Sequence, residues 1–406
     1  MLRISLISLV LAALAAPLAA QVALPSVQAP RVGDVLGQVG EFADETLDRT
    51  SRTARELARD RLRNIDRLVR RNRDSIALDA RGEPARRGEL LLLDAEAGQL
   101  AQAGAAGFAV LETVPVPELR MSVTRLRVPS GLNLGEAERA LALALPSATI
   151  APDNLHFQSG DTGAVPLAFA AAGSGTRGAA VGMIDGAPGR AVPVAATRGF
   201  AQGAPYPSNH GSAVASLLAS QHSGPIRVAD VYGTDKAGGN ALAIARGLGW
   251  LVGEGSRVVT ISLVGPKNPV LERAIAGARK RGVVVVAAVG NDGPAAPPAY
   301  PASYNGVVAV TAVDGKRRAL IEAGRALHLD YAAPGADIRG FNAKGKRIEL
   351  RGTSFATPLV AARLARAIGA GRNWRTALDG EAEDLGKKGA DPVYGRGLVC
   401  GSCKGR

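Results

Sequence analysis

Residues 283–289 read Val-Val-Val-Val-Ala-Ala-Val between Gly282 and Gly290. A strand without polar alternation is covered on both faces, which points to a parallel sheet between helix layers. Its surroundings agree. Strand signals at Ala179–Ile184, Arg227–Tyr232, Val258–Leu263 and Val307–Val313 alternate with helical ones at Ala213–Ser220, Asn240–Leu251, Pro269–Arg281 and Thr353–Ile368. The alternation predicts an α/β domain over residues 177–399, a parallel sheet with helices on both faces. In such a sheet a site forms at the carboxyl ends of the strands.

A smaller unit precedes it. Glu89–Leu93 is a buried-strand run and 97–107 a small-residue helix. Phe108–Thr113 and Met121–Val128 read as strands, Leu134–Leu145 as a helix, and Thr149 opens a last strand ending near Phe157. The order βαββαβ over 88–157 is that of a ferredoxin-like α+β unit. Residues 158–176, rich in Ser, Gly and Ala, read as a linker.

The amino-terminal part is of another kind. Arg3, an apolar run and Pro17-Leu18-Ala19-Ala20 form an export signal over 1–20, so the protein is expected outside the cytoplasm, periplasmic or extracellular. Membrane attachment would require that segment to be retained, and no second long apolar stretch follows. Residues 21–87 join a Pro/Gly-punctuated segment to an arginine-rich helix over 41–75. Ala54, Leu57, Ala58, Leu62, Ile65, Leu68 and Val69 recur on one face. The net charge of +13 is concentrated here: Arg49 to Arg87 holds thirteen Arg against six acids. The plain reading is a solvated amphipathic helix; docking to a membrane surface or partner is the alternative. With 4% aromatics the chain lacks the stacking residues of an RNA-binding surface, and no nucleic-acid partner is expected.

The tail 400–406 carries both cysteines, Cys400 and Cys403. In an oxidising compartment they read as a small disulfide; a redox pair or half a metal site is the competing reading, but they do not open a helix after a strand. The four His show no metal-ligand spacing, and no metal is assigned.

Four segments bring reactive groups to the predicted strand and helix ends. Val181–Gly186 delivers Asp185 at a strand's end. In Asn209-His210-Gly211-Ser212 the imidazole lies on a helix's first turn. Val283–Gly290 leads into Asn291, an amide donor. Gly352-Thr353-Ser354-Phe355-Ala356-Thr357-Pro358 puts Ser354 at a helix start, where a plain N-cap is the structural alternative. A serine nucleophile needs a base, an acid to orient that base, and donors for an oxyanion.

In this order, Asp, His, Asn and Ser, the segments resemble the subtilisin-like serine peptidases. Further matches are Val231–Asp235, Tyr300–Tyr304, Asp330–Gly335 and Tyr394–Val399. The resemblance implies Ser354 as nucleophile, His210 as general base and acid, and Asp185 as the orienting carboxylate. Asn291 and the Ser354 N–H would form the oxyanion hole. Substrate would lie as a strand between Lys236–Gly238 and Ser262, Leu263 and Val264. Ala288, Val289 and Gly290 would wall a specificity pocket with its floor near Ala299, and the absence of charge among them implies a preference for apolar side chains. Gly186 directly follows Asp185 where the family has Ser or Thr, and Val264 stands where Gly is usual. No cofactor is implied; structural calcium is known in relatives and is not assigned here. The unit at 88–157 would be a propeptide that assists folding and then occupies the cleft, with self-cleavage in the linker. The expected function is an exported serine endopeptidase made as a self-processing zymogen, with protein substrates and its own propeptide as partners. The alternative is a catalytically silent peptide-binding protein on the same fold.

Overall fold

The computed structural model describes residues 53–158, the backbone of 161–164, and residues 178–403. The export signal at 1–20, the segment 21–52, most of the linker and residues 404–406 lie outside them. No helix among the described residues is long and apolar enough to cross a membrane.

Helix α1 covers residues 53–71. Of its expected apolar stripe, Ile65 is buried and Leu57, Leu68 and Val69 are partly so, but Leu62 is 60% exposed. Adjacent helical positions lie about 100° apart, and Arg61 takes the inward position that excludes Leu62.

The unit that follows is an antiparallel sheet under two helices. Its elements are β1 (Ile76–Leu78), β2 (Pro84–Leu93), α2 (Ala97–Ala105), β3 (Ala109–Val116), β4 (Met121–Arg127), α3 (Leu134–Ala144) and β5 (Thr149–Asn154). β2 pairs with β4 on one side and β5 on the other, β3 lies outside β4, and β1 pairs with the start of β2. The βαββαβ plan is therefore present, with its first strand beginning at Pro84 rather than Glu89 and an added strand before it. Period-two geometry explains the leucine run. Leu90 and Leu92 face the core under α2 and α3, whereas Leu91 joins Val123 and Met121 on the opposite face. That second face is buried against the larger unit.

The larger unit contains β8 (Val181–Asp185), β9 (Ala196–Gly199), α4 (Asn209–Gln221), β10 (Ile226–Asp230), α5 (Ala241–Gly253), β11 (Val258–Ile261), α6 (Pro269–Lys280), β13 (Val284–Ala288), β14 (Val308–Val313), β15 (Tyr331–Pro334), α7 (Thr353–Gly369) and α8 (Trp374–Glu381). Its seven strands are parallel, in the order β15-β14-β13-β11-β8-β10-β9. α4 and α7 pack on one face. α5 and α6 pack on the other, where they meet Leu91, Val116 and Met121 of the antiparallel sheet.

Short strands join the two units. β6 (Phe157–Gln158) pairs antiparallel with β12 (Leu263–Val264), placing Gln158 opposite Leu263. β7 (Asp161–Ala164) pairs antiparallel with β17 (Arg347–Arg351), which itself forms a hairpin with β16 (Ile338–Phe341).

Candidate active site

Asp185 ends β8, a fully buried strand. His210 is the second residue of α4, whose N-cap is Ser208, with its hydroxyl accepting from the Gly211 N–H. The His210 Nδ1 lies 3.1 and 2.9 Å from the two carboxylate oxygens of Asp185. With its proton on Nδ1 facing a carboxylate, the neutral ring has its lone pair on Nε2. That atom is buried and has no hydrogen-bond partner among the described residues. Asp185 Oδ1 also accepts from the Gly186 N–H at 2.7 Å and from Gln158 Nε2 at 2.9 Å.

Gly186, the departure noted in the sequence, has a steric reason. A Cβ there would fall 2.4 Å from the Ser208 hydroxyl, so the cap of α4 occupies that space. A Cβ on Gly211 would fall 2.0 Å from the Gly186 carbonyl oxygen. The two glycines let α4 approach the end of β8 closely enough for the Asp185–His210 contact.

Ser354 is fully buried in the first turn of α7, behind the N-cap Gly352. The N–H groups of a first turn have no intrahelical acceptor and carry the positive end of the helix dipole. The His210 ring packs 5.4 Å from that of Phe355, the next residue. Ser354 Oγ donates to the Ser262 carbonyl at 2.9 Å. Asn291 accepts through Oδ1 from the Thr353 N–H and hydroxyl at 3.0 and 3.1 Å, which fixes its amide and leaves Nδ2 as the donor end. A hydroxyl, an oriented imidazole and a fixed amide donor are thus gathered around the start of α7. The arrangement is chemically suited to acyl transfer.

The Subtilase family's sequence profile matches residues 194–395. Subtilisin Savinase of Lederbergia lenta is 33% identical over 207 residues, 47% of this chain and 76% of that protein. The chain belongs to the subtilase family. It is a subtilisin-like serine endopeptidase by that membership. An alkaline protease of Shouchella clausii is also 33% identical over 207 residues, but the match spans only 53% of its length. The minor extracellular protease Epr of Bacillus subtilis is 30% identical over the same length, 32% of that protein. Fervidolysin of Fervidobacterium pennivorans, described as a keratinolytic enzyme related to subtilisin, shares the fold. Its TM-score is 0.63 at 18% identity, covering 81% of this chain and 63% of that one.

In this subtilase the cleft is lined differently from the sequence expectation in three respects. First, the strand between the two rims is the chain's own. His156 N–H donates to the Gly239 carbonyl at 2.8 Å, and Leu155 bridges Asn240. The contact of this segment is with Gly239 and Asn240, the two residues after Gly238. Second, Val289, Gly290 and Ala299 line a cavity of about 890 Å³, but Ala288 does not. Val264 lines it too, and a Cβ on Gly290 would lie 3.3 Å from the Val264 side chain, so the valine narrows this wall. Third, the cavity is not free of charge. Asp292, Glu322 and Arg351 line it, together with Arg61 and Glu83. Burial pushes the Asp292 carboxyl up, and Arg61 pulls against it. Asp292 directly follows Asn291, a position that sequence reading could have weighed. No motif marked Gln158 or Arg61, whose contacts are tertiary; Thr353 stood in the Ser354 motif, but its contact with Asn291 was not foreseen. The structure joins Cys400 and Cys403 in a disulfide.

Proposed function

We propose that the protein is an exported serine endopeptidase made as a self-processing precursor. Ser354 is the nucleophile. It passes its proton to His210 Nε2 as Oγ attacks the peptide carbonyl, and Asp185 holds the imidazole in the required tautomer and stabilises the imidazolium. The oxyanion is met by Asn291 Nδ2 and the Ser354 N–H. His210 then protonates the leaving amine, and water repeats the sequence on the acyl-enzyme. The Ser354 hydroxyl donates to the Ser262 carbonyl, and attack requires it to turn to His210 Nε2.

The observation that carries this reading is the course of the chain's own segment. It is paired with Leu263–Val264 through Phe157–Gln158 and with Arg347–Arg351 through Asp161–Ala164, and Gln158 contacts Asp185. Such pairing on both sides of a site is how a peptide adds to an exposed strand edge. Cleavage therefore falls between Gln158 and Asp161. The unit ending at Gln158 is the propeptide. Its sheet lies against α5 and α6, which supports a role as folding template: parallel sheets assemble through non-local contacts and form slowly. The export signal in the sequence and an extracellular relative support action outside the cytoplasm on protein substrates.

The test is conversion of the full-length chain. Wild type should mature to an N-terminus within 159–161 and label with a fluorophosphonate, and Ser354→Ala should remain full length and unlabelled. Equal processing of the two chains refutes the reading.

A further inference from the structure

The arginine-rich helix α1 has a place in the cleft. One stripe of it, Leu57, Arg61, Asn64, Ile65 and Leu68, forms a wall of the 890 Å³ cavity whose other walls include Val264, Gly290 and Asp292. The spacings of four, three, one and three are those of a single helical face. On one bank Leu57 sits on Gly293, where an added Cβ would come within 2.9 Å of the leucine Cβ. On the other, Leu68 and Val69, together with Phe157, pack on the cluster of Ile76, Leu155 and Ala237. Helix α1 therefore spans the cleft from the loop after Asn291 to the segment before Gly238.

Arg61 joins the parts. Its Nη2 donates to both carboxylate oxygens of Glu83 at 3.0 and 2.7 Å, and its Nε lies 3.4 Å from Asp292 Oδ2. The Arg61 side chain is only 16% exposed. Arg55, Arg59, Arg63, Arg67, Arg70 and Arg71 are all exposed, so the charge of this helix is a solvated outer face, with a single arginine turned inward.

We propose that α1 is a second cover on the substrate cleft, separate from the strand β6, latched by Arg61 between Glu83 and Asp292. Cutting the chain after Gln158 does not by itself open the site; α1 must also leave. The inference rests on the proposed peptidase reading and adds to it a regulatory contact outside the ferredoxin-like unit. It identifies the occupant of this part of the cleft as an amphipathic helix with one inward arginine, supplied by the same chain.

The test follows full-length wild type, Arg61→Glu, Leu57→Asp and, on the exposed face, Leu62→Asp. All are compared at equal fractions of cleaved chain by the rate of fluorophosphonate labelling. Loss of a charged hydrogen-bonded latch should speed labelling about tenfold in Arg61→Glu and comparably in Leu57→Asp, with Leu62→Asp like wild type. Equal rates in all four overturn the cover while leaving the peptidase intact. Absence of both cleavage and labelling in every chain, wild type included, sinks the peptidase reading instead. Hydrogen exchange of full-length Ser354→Ala gives a second readout that needs no variant of α1. The amides of 57–68 should be protected like those of α3, and exchange at the rate of an unstructured segment overturns the proposal even if the α1 variants do not fold.

Discussion

Ser262 and Ser354 exchange two hydrogen bonds. Ser354 Oγ donates to the Ser262 carbonyl, and Ser262 Oγ donates to the Ser354 carbonyl, each at 2.9 Å. The second bond exists because of Pro358. In a regular helix the Ser354 carbonyl would accept from the N–H four residues on, but that residue is proline and has none. Ser262, between β11 and β12, thus takes the acceptor that the helix leaves over, and the Ser354 backbone is tied to that segment.

Ser262→Ala should therefore remove the side-chain donor to the buried Ser354 carbonyl, at a cost of about 1–3 kcal/mol. Urea unfolding of full-length chains on the Ser354→Ala background measures it without interference from processing. Adding Pro358→Ala restores a donor four residues on, so the double variant should recover part of the loss. A double variant at the sum of the two single losses would contradict this account of the pair.

Asp185→Asn should abolish most turnover while leaving the fold in place. An amide at this position favours the wrong imidazole tautomer, a change that lowers kcat by about 10⁴-fold in serine peptidases. Asn291→Ala removes one oxyanion donor and should cost about 10²–10³-fold, a magnitude taken from subtilisin itself rather than from this geometry. Single-turnover acylation by an activated ester, compared with wild type, separates the two.

Much of this architecture was legible in the sequence because it is local or periodic. The run at 283–289 declared a doubly covered strand, and the small residues after His210 declared close helix packing. What escaped was set by tertiary contact. Arg347–Arg351 alternates inward Ile348 and Leu350 with outward charges, but five residues are too few to separate a strand from a turn. The edge strand Ala196–Gly199 carries no buried apolar face. Helix α1 was visible as a helix, yet nothing in its period told which of its arginines would turn inward, since Glu83 and Asp292 come from distant parts of the chain. The charged residues around the cavity that Val289, Gly290 and Ala299 line were hidden for the same reason.

Gly211→Ala and Gly186→Ala should differ in severity. The Cβ at 211 would meet backbone, the Gly186 carbonyl at 2.0 Å, and backbone cannot swing aside. α4 must then move off the end of β8, costing about 1–3 kcal/mol or more and separating His210 from Asp185. The Cβ at 186 meets the Ser208 hydroxyl at 2.4 Å, which can rotate away at about 1 kcal/mol of lost capping, and the Ser208 Cβ at 2.8 Å, which asks for a small shift of the cap residue but not of a carbonyl aimed at it. Denaturant midpoints should rank Gly211→Ala below Gly186→Ala, and fluorophosphonate labelling should follow the same order. The reverse ranking would mean that the cap, not the close approach, fixes the imidazole.

Acid should weaken the full-length chain, and His156 should be a principal cause. This imidazole is fully buried between β5 and β6, beside Gly265, where the backbone at Asn154 and Gly239 only partly offsets the cost of charging it. Burial lowers its pKa from 6.5 to about 4. The unfolded chain therefore takes up the proton first. The stabilisation is complete above pH 6.5 and is lost as the pH falls toward 4. His222, also lowered to about 4 by burial, acts in the same sense. Asp153 acts in the opposite sense: burial raises it to about 6, so its penalty is present at neutral pH and is relieved on acidification. Burial also raises Asp292 and Glu138, in the same sense as Asp153, but the two histidines are displaced furthest within this range, and stability should fall between pH 7 and pH 4.5. His156→Gln, on the Ser354→Ala background, should reduce that fall by about 2 kcal/mol whatever it does to stability at pH 7. Urea midpoints at the two pH values supply the comparison. An unchanged pH slope in the variant would show that the proton goes elsewhere, leaving His222 to account for the acid sensitivity.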